Sequence, residues 1–409
     1  MKRALVWILV AAPVMAAVVA NRFEEVKPEE RAQIEGLTAG IKKGLGKTRD
    51  AHAKGHGCVA DVKVTVAVDS KVDADTRKKL AQGFFSEDGK SYDAVIRFSP
   101  GSGNPQASDH EGGGQGLALK MLLNEEDQKK LVPVAGEDTH YVDAKYYKTF
   151  DVVTISHSRE FMVETISDYP AFFAASGAAA QARKAAIGSA LLMGESEESA
   201  KKAGAIAAAE TMRDMYINPK EGKKRLREGA ILAKVGAAHP KNLLDQSYGS
   251  WVPSLLGEEA IKYEIAPCVA VDPDAYEVPE SITDWKKDPN FMSRVLRHEL
   301  AQKDHCFELR VQLHQDGFPS VEDAVATWPQ DKSPYLKVAE IRLPKKEVGK
   351  ELIDSELCEA MSFTPGHASA VHYPIGGIQR ARVGSVDEKG PIEGIYTVIH
   401  KARNENRKK

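Results

Sequence analysis

The sequence predicts an α+β chain: an antiparallel β-barrel or sandwich with a helical insertion and flanking helices. Three observations lead there. Val62, Val64, Val66 and Val68 alternate with Lys63, Thr65 and Ala67, and Phe307, Leu309, Val311 and Leu313 alternate with Glu308, Arg310 and Gln312, the period of strands with one buried face. Such runs are separated by long connections without regular βα alternation, which favours antiparallel pairing. Sixteen of the forty residues from Ala171 to Glu210 are alanine, and no proline falls between Pro170 and Pro219. That composition is helical, because alanine loses least on entering a helix.

In chain order, residues 23–50 are charged with interspersed Ile, Leu and Val and read as one or two helices. Strands are expected at 62–68, 94–99, 117–122 and 151–156. The helical insertion covers 171–235. Strands resume at 260–265, 306–313 and 337–343. The insertion should pack on the barrel, since no Pro/Gly/Ser-rich linker brackets it as a separate domain. The positively charged end, His400 to Lys409, reads as a solvated terminus, so residues 389–409 are set apart as a basic tail from a main domain of residues 21–388.

The 409 residues are 42% hydrophobic and 28% charged, a globular composition. Fifty-six basic against 59 acidic residues leave a net charge of −3, which gives no electrostatic reason to bind nucleic acid. Lys2 and Arg3 precede an apolar run from Ala4 to Ala20 that Asn21 and Arg22 end. This is the pattern of an export signal over residues 1–20, cleaved after Ala16 or Ala20; the alternative is an uncleaved membrane anchor. Either way the rest of the chain is expected in the periplasm or outside the cell. Cys58, Cys268, Cys306 and Cys358 form no CxxC or CxxCH, which disfavours zinc, thioredoxin-type and c-type heme readings. They read equally as disulfides of unspecified pairing or as buried thiols.

Two segments carry chemistry. Arg49 to Cys58 (RDAHAKGHGC) sets His52 and His56 in a glycine-rich turn before the first valine strand, where an imidazole can act as general acid and base. Ile96–Arg97–Phe98–Ser99 ends a strand and leads into the glycine-rich loop 101–116. No GK[ST] follows and the next element is a strand, so a phosphate-binding loop is rejected.

HAKGHG before a valine strand, then RFSPGSG, then GLALK, in that order and spacing, resembles the heme-binding core of the catalase superfamily. SYGSWVPSLLGEEAIK from Ser247, Thr327–Trp328–Pro329, CEAMSFTP from Cys358 and PIGGIQRAR from Pro374 look like its small, catalase-like branch, and the resemblance spans about residues 45 to 388. It implies a β-barrel within whose closed sheet a heme b is buried, and chemistry on hydrogen peroxide or an organic hydroperoxide. It gives His52 the distal acid–base role, moving a proton between the two peroxide oxygens so that water or alcohol leaves. It gives Ser99 the orientation of that histidine, and Arg49 a heme propionate. Arg97, Phe161, Tyr169 and Arg382 join the cofactor-binding set.

Two departures stand out. Ser156 takes the place of the family's distal asparagine; its hydroxyl can bond peroxide but has shorter reach and no amide N–H, so peroxidase-type turnover is expected to exceed catalase turnover. The family's proximal ligand is a tyrosinate four residues after an arginine that favours the ionised phenol. Arg382 fits the arginine, but position 386 is Val386, which cannot coordinate iron. Tyr396, His372, Tyr373 and His400 are other candidate donors. The competing function is a heme- or ligand-binding relative without turnover; rearrangement of a lipid hydroperoxide is a variant of the first.

Overall fold

The structure, a computed structural model, describes residues 21–45, 55–101, 108–387 and 389–407. The apolar run 4–20, Arg49 and His52 lie outside the described residues. In chain order the elements are α1 (Glu30–Leu45), β1 (Gly57–Val66), α2 (Ala74–Leu80), β2 (Ser91–Pro100), β3 (Gln115–Leu122), α3 (Glu125–Gln128) and β4 (Thr149–Ser156). Next come α4 (Tyr169–Leu192), α5 (Glu197–Met212), α6 (Leu226–Gly236), β5 (Tyr248–Gly249), β6 (Ser254–Leu256) and β7 (Glu259–Pro267). The chain ends with α7 (Phe291–Gln302), β8 (His305–Leu313), β9 (Leu336–Leu343), α8 (Ser355–Ala360), α9 (Gly377–Val383), β10 (Gly384–Asp387), β11 (Gly390–Glu393) and α10 (Ile395–Arg407).

The sheet runs β5-β4-β3-β2-β1-β9-β8-β7-β6, and β5 also pairs with β7. Eight antiparallel strands therefore close a barrel, with β6 as an extra strand on β7. All seven expected strands form. The short β5 and β6 carry too few residues to show a period.

Alternation along the strands fills the barrel: Val62, Val64, Ile96, Phe98, Leu119, Val152, Phe307 and Leu309 belong to one buried cluster. A barrel of eight strands is just wide enough for side chains to fill it. The expectation of a porphyrin within the closed sheet is thereby corrected. Room for a ligand lies outside the wall, where the odd-numbered residues of β2 and β4 and the even-numbered residues of β3 point.

The alanine-rich stretch forms α4 and α5, and Pro170 sits in the first turn of α4, where its missing N–H costs nothing. A Cβ on Gly204 of α5 would lie 2.6 Å from Ile187 of α4, so glycine lets the two helices approach. Only one helix, α1, forms in residues 23–45. The start of α1 and the segment before it are strapped to α9 by Arg380, which donates to Glu30 at 2.7 Å and also pairs with Glu24 and Glu322.

Residues 389–407 do not form a solvated tail. A hairpin of β10 and β11 leads into α10, which packs on α1 and α9 and buries Val398, His400, Arg403 and Asn404. The cysteines form two disulfides, Cys58–Cys358 and Cys268–Cys306.

Candidate functional site

A cavity of about 320 Å³ lies between the outer faces of β2, β3 and β4 and the helices α4, α9 and α10. Arg97, Ser99, Phe161, Tyr169 and Arg382, scattered over almost three hundred residues, all line it. Strand period explains the first two. Ile96 and Phe98 point into the barrel core, so Arg97 and Ser99 point out. Ser99 pairs across the sheet with Gly116. A Cβ there would sit 2.9 Å from the Ser99 hydroxyl, so Gly116 keeps that oxygen clear.

Phe161 and Tyr169 meet edge to face, with ring centroids 6.0 Å apart, and Tyr169 stacks on Phe173 at 5.6 Å. Burial pushes the Tyr169 phenol up, against the opposing charge of Arg382, so it stays neutral. Phe363 roofs another part of the wall, and the Arg97 guanidinium lies over its ring at 4.7 Å. Arg403 donates to the Met361 carbonyl at 3.0 Å. His400 Nε2 lies 3.1 Å from the Ala360 carbonyl oxygen and 3.1 Å from Asn404 Nδ2. Burial first, and then the Arg403 charge, push His400 down to about 3, leaving a neutral imidazole.

Arg382 of α9 donates to the phenol oxygen of Tyr396 at 2.7 Å, and its guanidinium lies 5.2 Å from the Tyr396 ring. Both residues line the cavity. Val386 lies in β10, opposite Pro391. The hairpin separates the arginine from the tyrosine in sequence while returning the chain to α9. The sequence names Tyr396 among the candidate donors, but Gly390 and Pro391 disguise its relation to Arg382: they look like a break and are the far end of the hairpin.

Two other candidate donors, His372 and Tyr373, are occupied or elsewhere. His372 accepts the Phe84 N–H at Nε2 and therefore carries its proton on Nδ1, 3.2 Å from the Tyr263 hydroxyl. Burial pushes it down to about 3. Tyr373 packs with the Val321 and Trp328 cluster.

Ser156 is not among the described residues that line the cavity. It shares parity with Phe150 and Val152, which point into the barrel core. Its hydroxyl accepts the Gln115 N–H at 2.9 Å and bonds His157 Nδ1 at 2.6 Å. His157, at φ 69°, turns the chain after β4, and burial pushes its pKa down.

A charged string braces the wall. Lys120 and Asp151 pair across β3 and β4 on the rung beyond the cavity-lining Ala118 and Val153. Both are fully buried and meet at 2.8 Å. Asp151 is also 2.9 Å from His367 Nδ1, whose Nε2 reaches Glu137 at 2.5 Å. Burial alone would raise the Asp151 carboxyl; Lys120 and His367 outweigh it and hold it below the usual carboxylate range.

No protein-family model matches the sequence, and no curated protein matches it. Among solved structures, a fungal catalase is similar over 85% of this chain and 60% of its own, with a TM-score of 0.54 and 16% identity. A bacterial catalase aligns with 100% of this chain and 67% of its own, at a TM-score of 0.49 and 14% identity. Catalase A from Saccharomyces cerevisiae aligns with 77% of this chain and 55% of its own, at a TM-score of 0.45 and 13% identity. The chain thus spans about 60% of the length of the fungal catalase. Its α+β architecture, a closed antiparallel barrel with an extra strand and packed helices, is catalase-like.

Proposed function

We propose that this chain is a heme-dependent oxidoreductase acting on hydrogen peroxide or an organic hydroperoxide, of peroxidase or weak catalase type. The observation that carries the reading is the meeting of Arg382 and Tyr396 at 2.7 Å in the wall of an apolar cavity that Ser99 also faces. The residues present fit a heme. Leu117, Val153 and Phe161 offer apolar wall to a flat ring, Arg97 and Arg403 offer cations to acidic side chains, and the Trp251 indole nitrogen is buried with no hydrogen-bond partner among the described residues. When bound, the heme supplies the iron at which peroxide O–O bonds break.

The chain's own groups divide the remaining tasks. Tyr396 offers the phenol oxygen that Val386 lacks, and Arg382 holds it in place. Arg97, with Arg49, pairs with carboxylates through charge-assisted hydrogen bonds. Phe161 and Tyr169 pack on the ring. Ser99 orients His52, which takes a proton from one peroxide oxygen and returns it to the other, so that water or alcohol is the leaving group. The parts given to His52 and Arg49 rest on the sequence resemblance. Export is part of the proposal: two disulfides suit an oxidising compartment, and the apolar run 4–20 suits a signal.

A second reading is a heme-binding protein without turnover, favoured by the engagement of the Ser156 hydroxyl with Gln115 and His157. Reconstitution with hemin separates the two. A Soret band that responds to peroxide in the wild type but not in His52→Ala supports the enzyme. A band without response supports the binder, and no band ends both.

A further inference from the structure

Trp251 is built at a cost that the fold alone does not explain. It sits at φ 64°, a region where bulky side chains are outliers, and the Val252 N–H donates back to the Ser250 carbonyl at 2.7 Å, closing a three-residue turn around it. The turn is pinned on both sides. The Ser250 hydroxyl accepts the Tyr263 N–H at 3.0 Å and donates to the Val252 carbonyl at 2.9 Å, while Gly249 is fixed in β5 between Ile155 and Glu264. The ring it holds lines the cavity, 5.2 Å from Phe161, and the indole Nε1 is buried without a hydrogen-bond partner among the described residues. A strained backbone and an unmatched buried donor on one residue mark a group held ready for something else.

We infer that Trp251 is a ligand-binding residue whose indole N–H donates to a carboxylate oxygen of the tetrapyrrole the cavity takes. An indole N–H only donates, so its partner must be an acceptor, and carboxylates are the strong acceptors a tetrapyrrole carries. The inference rests on the porphyrin reading of the cavity.

Zinc protoporphyrin IX, which is diamagnetic, and its dimethyl ester, in which the carboxylates are masked, test it on the full chain labelled with ¹⁵N. The indole signal missing from Trp251→Phe belongs to Trp251. That signal should move downfield with the free acid and not with the ester. Trp251→Phe should bind the free acid about tenfold more weakly than wild type and the ester equally well. Its ligand-free far-ultraviolet spectrum should match that of wild type, which shows that the fold is kept. An unmoved signal while the free acid binds, or equal affinities of the two proteins for it, overturns the inference and leaves the cavity reading standing. Failure of the wild type to bind either porphyrin overturns the cavity reading and the inference with it.

Discussion

Arg382 and Tyr396 stand fourteen residues apart in sequence and 2.7 Å apart in space. The hairpin between them makes the contact, and its base is a crossing only glycine permits. A Cβ on Gly394 would lie 2.2 Å from the Gly384 nitrogen, and one on Gly384, at φ 84°, would lie 2.1 Å from the Ile392 carbonyl oxygen. If Tyr396 is the donor to iron, Tyr396→Phe removes the oxygen and keeps the ring. Hemin affinity should then fall at least about tenfold, and the visible spectrum should change from that of a phenol-ligated iron to that of one lacking the ligand. An unchanged spectrum in Tyr396→Phe would give the ligand's place to another residue.

The crossing itself can be tested apart from the donor. Gly394→Ala puts a methyl group against backbone on three sides, since the Val383 carbonyl carbon and the Arg382 carbonyl oxygen also lie within 2.4 Å of that position. The hairpin must shift, at about 1–3 kcal/mol or more. Barrel strands are remote from it, so the far-ultraviolet spectrum should persist while hemin binding weakens as in Tyr396→Phe. Wild-type hemin affinity in Gly394→Ala would show that the hairpin does not set the Tyr396 position.

The two halves of the site differ in how openly the sequence displays them. Arg97, Ser99, Tyr169 and Arg382 were legible because each sits in a short motif on a regular element, Phe161 because it sits in the motif that follows β4, and all five line the cavity. Strand alternation likewise showed β1 and β8. Which side of the wall the cavity uses was not legible, since alternation marks two faces without saying which is enclosed. Ser156 shows the consequence: its place in a motif suggests the cavity, and its parity assigns it to the other face. The last turns of the chain were hidden for a different reason. Lys401, Arg403 and Arg407 suggest a solvated end, but α10 packs one face inward, and that face carries Arg403 as well as Ile395 and Val398.

The charged string predicts how stability depends on pH. The Asp151 carboxyl is held below its ordinary 3.8, so its contribution is present above that value and is lost as pH falls through the lower folded-state pKa. For His367, burial disfavours the imidazolium, but Asp151 and then Glu137 outweigh it, against the repulsion of Lys120, and raise the pKa above 6.5. Its contribution is therefore complete below 6.5 and lost as pH rises through the raised value. Melting temperature should fall on both sides of a mildly acidic plateau. His367→Gln should flatten the alkaline fall. Asp151→Asn should cost about 3–5 kcal/mol, because it leaves the Lys120 ammonium buried without its counter-ion. An alkaline slope identical in wild type and His367→Gln would remove His367 as its source.

The Cys58–Cys358 disulfide joins the first barrel strand to α8, 300 residues later. Cys58 directly follows the glycine-rich turn in which the sequence places His52, and Cys358 precedes Ser362 and Phe363, which line the cavity. A hydrogen bond from the Ile353 N–H to the Cys58 carbonyl, 2.8 Å, runs beside the bridge. The cross-link therefore ties the approach to the candidate acid–base residue to the cavity wall. Closing so long a loop restricts the unfolded chain by about 6 kcal/mol in the chain-entropy account. The double variant Cys58→Ser, Cys358→Ser should accordingly melt well below wild type. Cys268–Cys306 closes only 38 residues and links the end of β7 to β8, which are already paired strands, so its removal should cost less. Hemin release measured below both melting temperatures separates stability from site geometry. Release should quicken in the Cys58/Cys358 variant and stay at the wild-type rate in Cys268→Ser, Cys306→Ser. Equal release from all three proteins would reduce the long bridge to a stability device with no hold on the cavity.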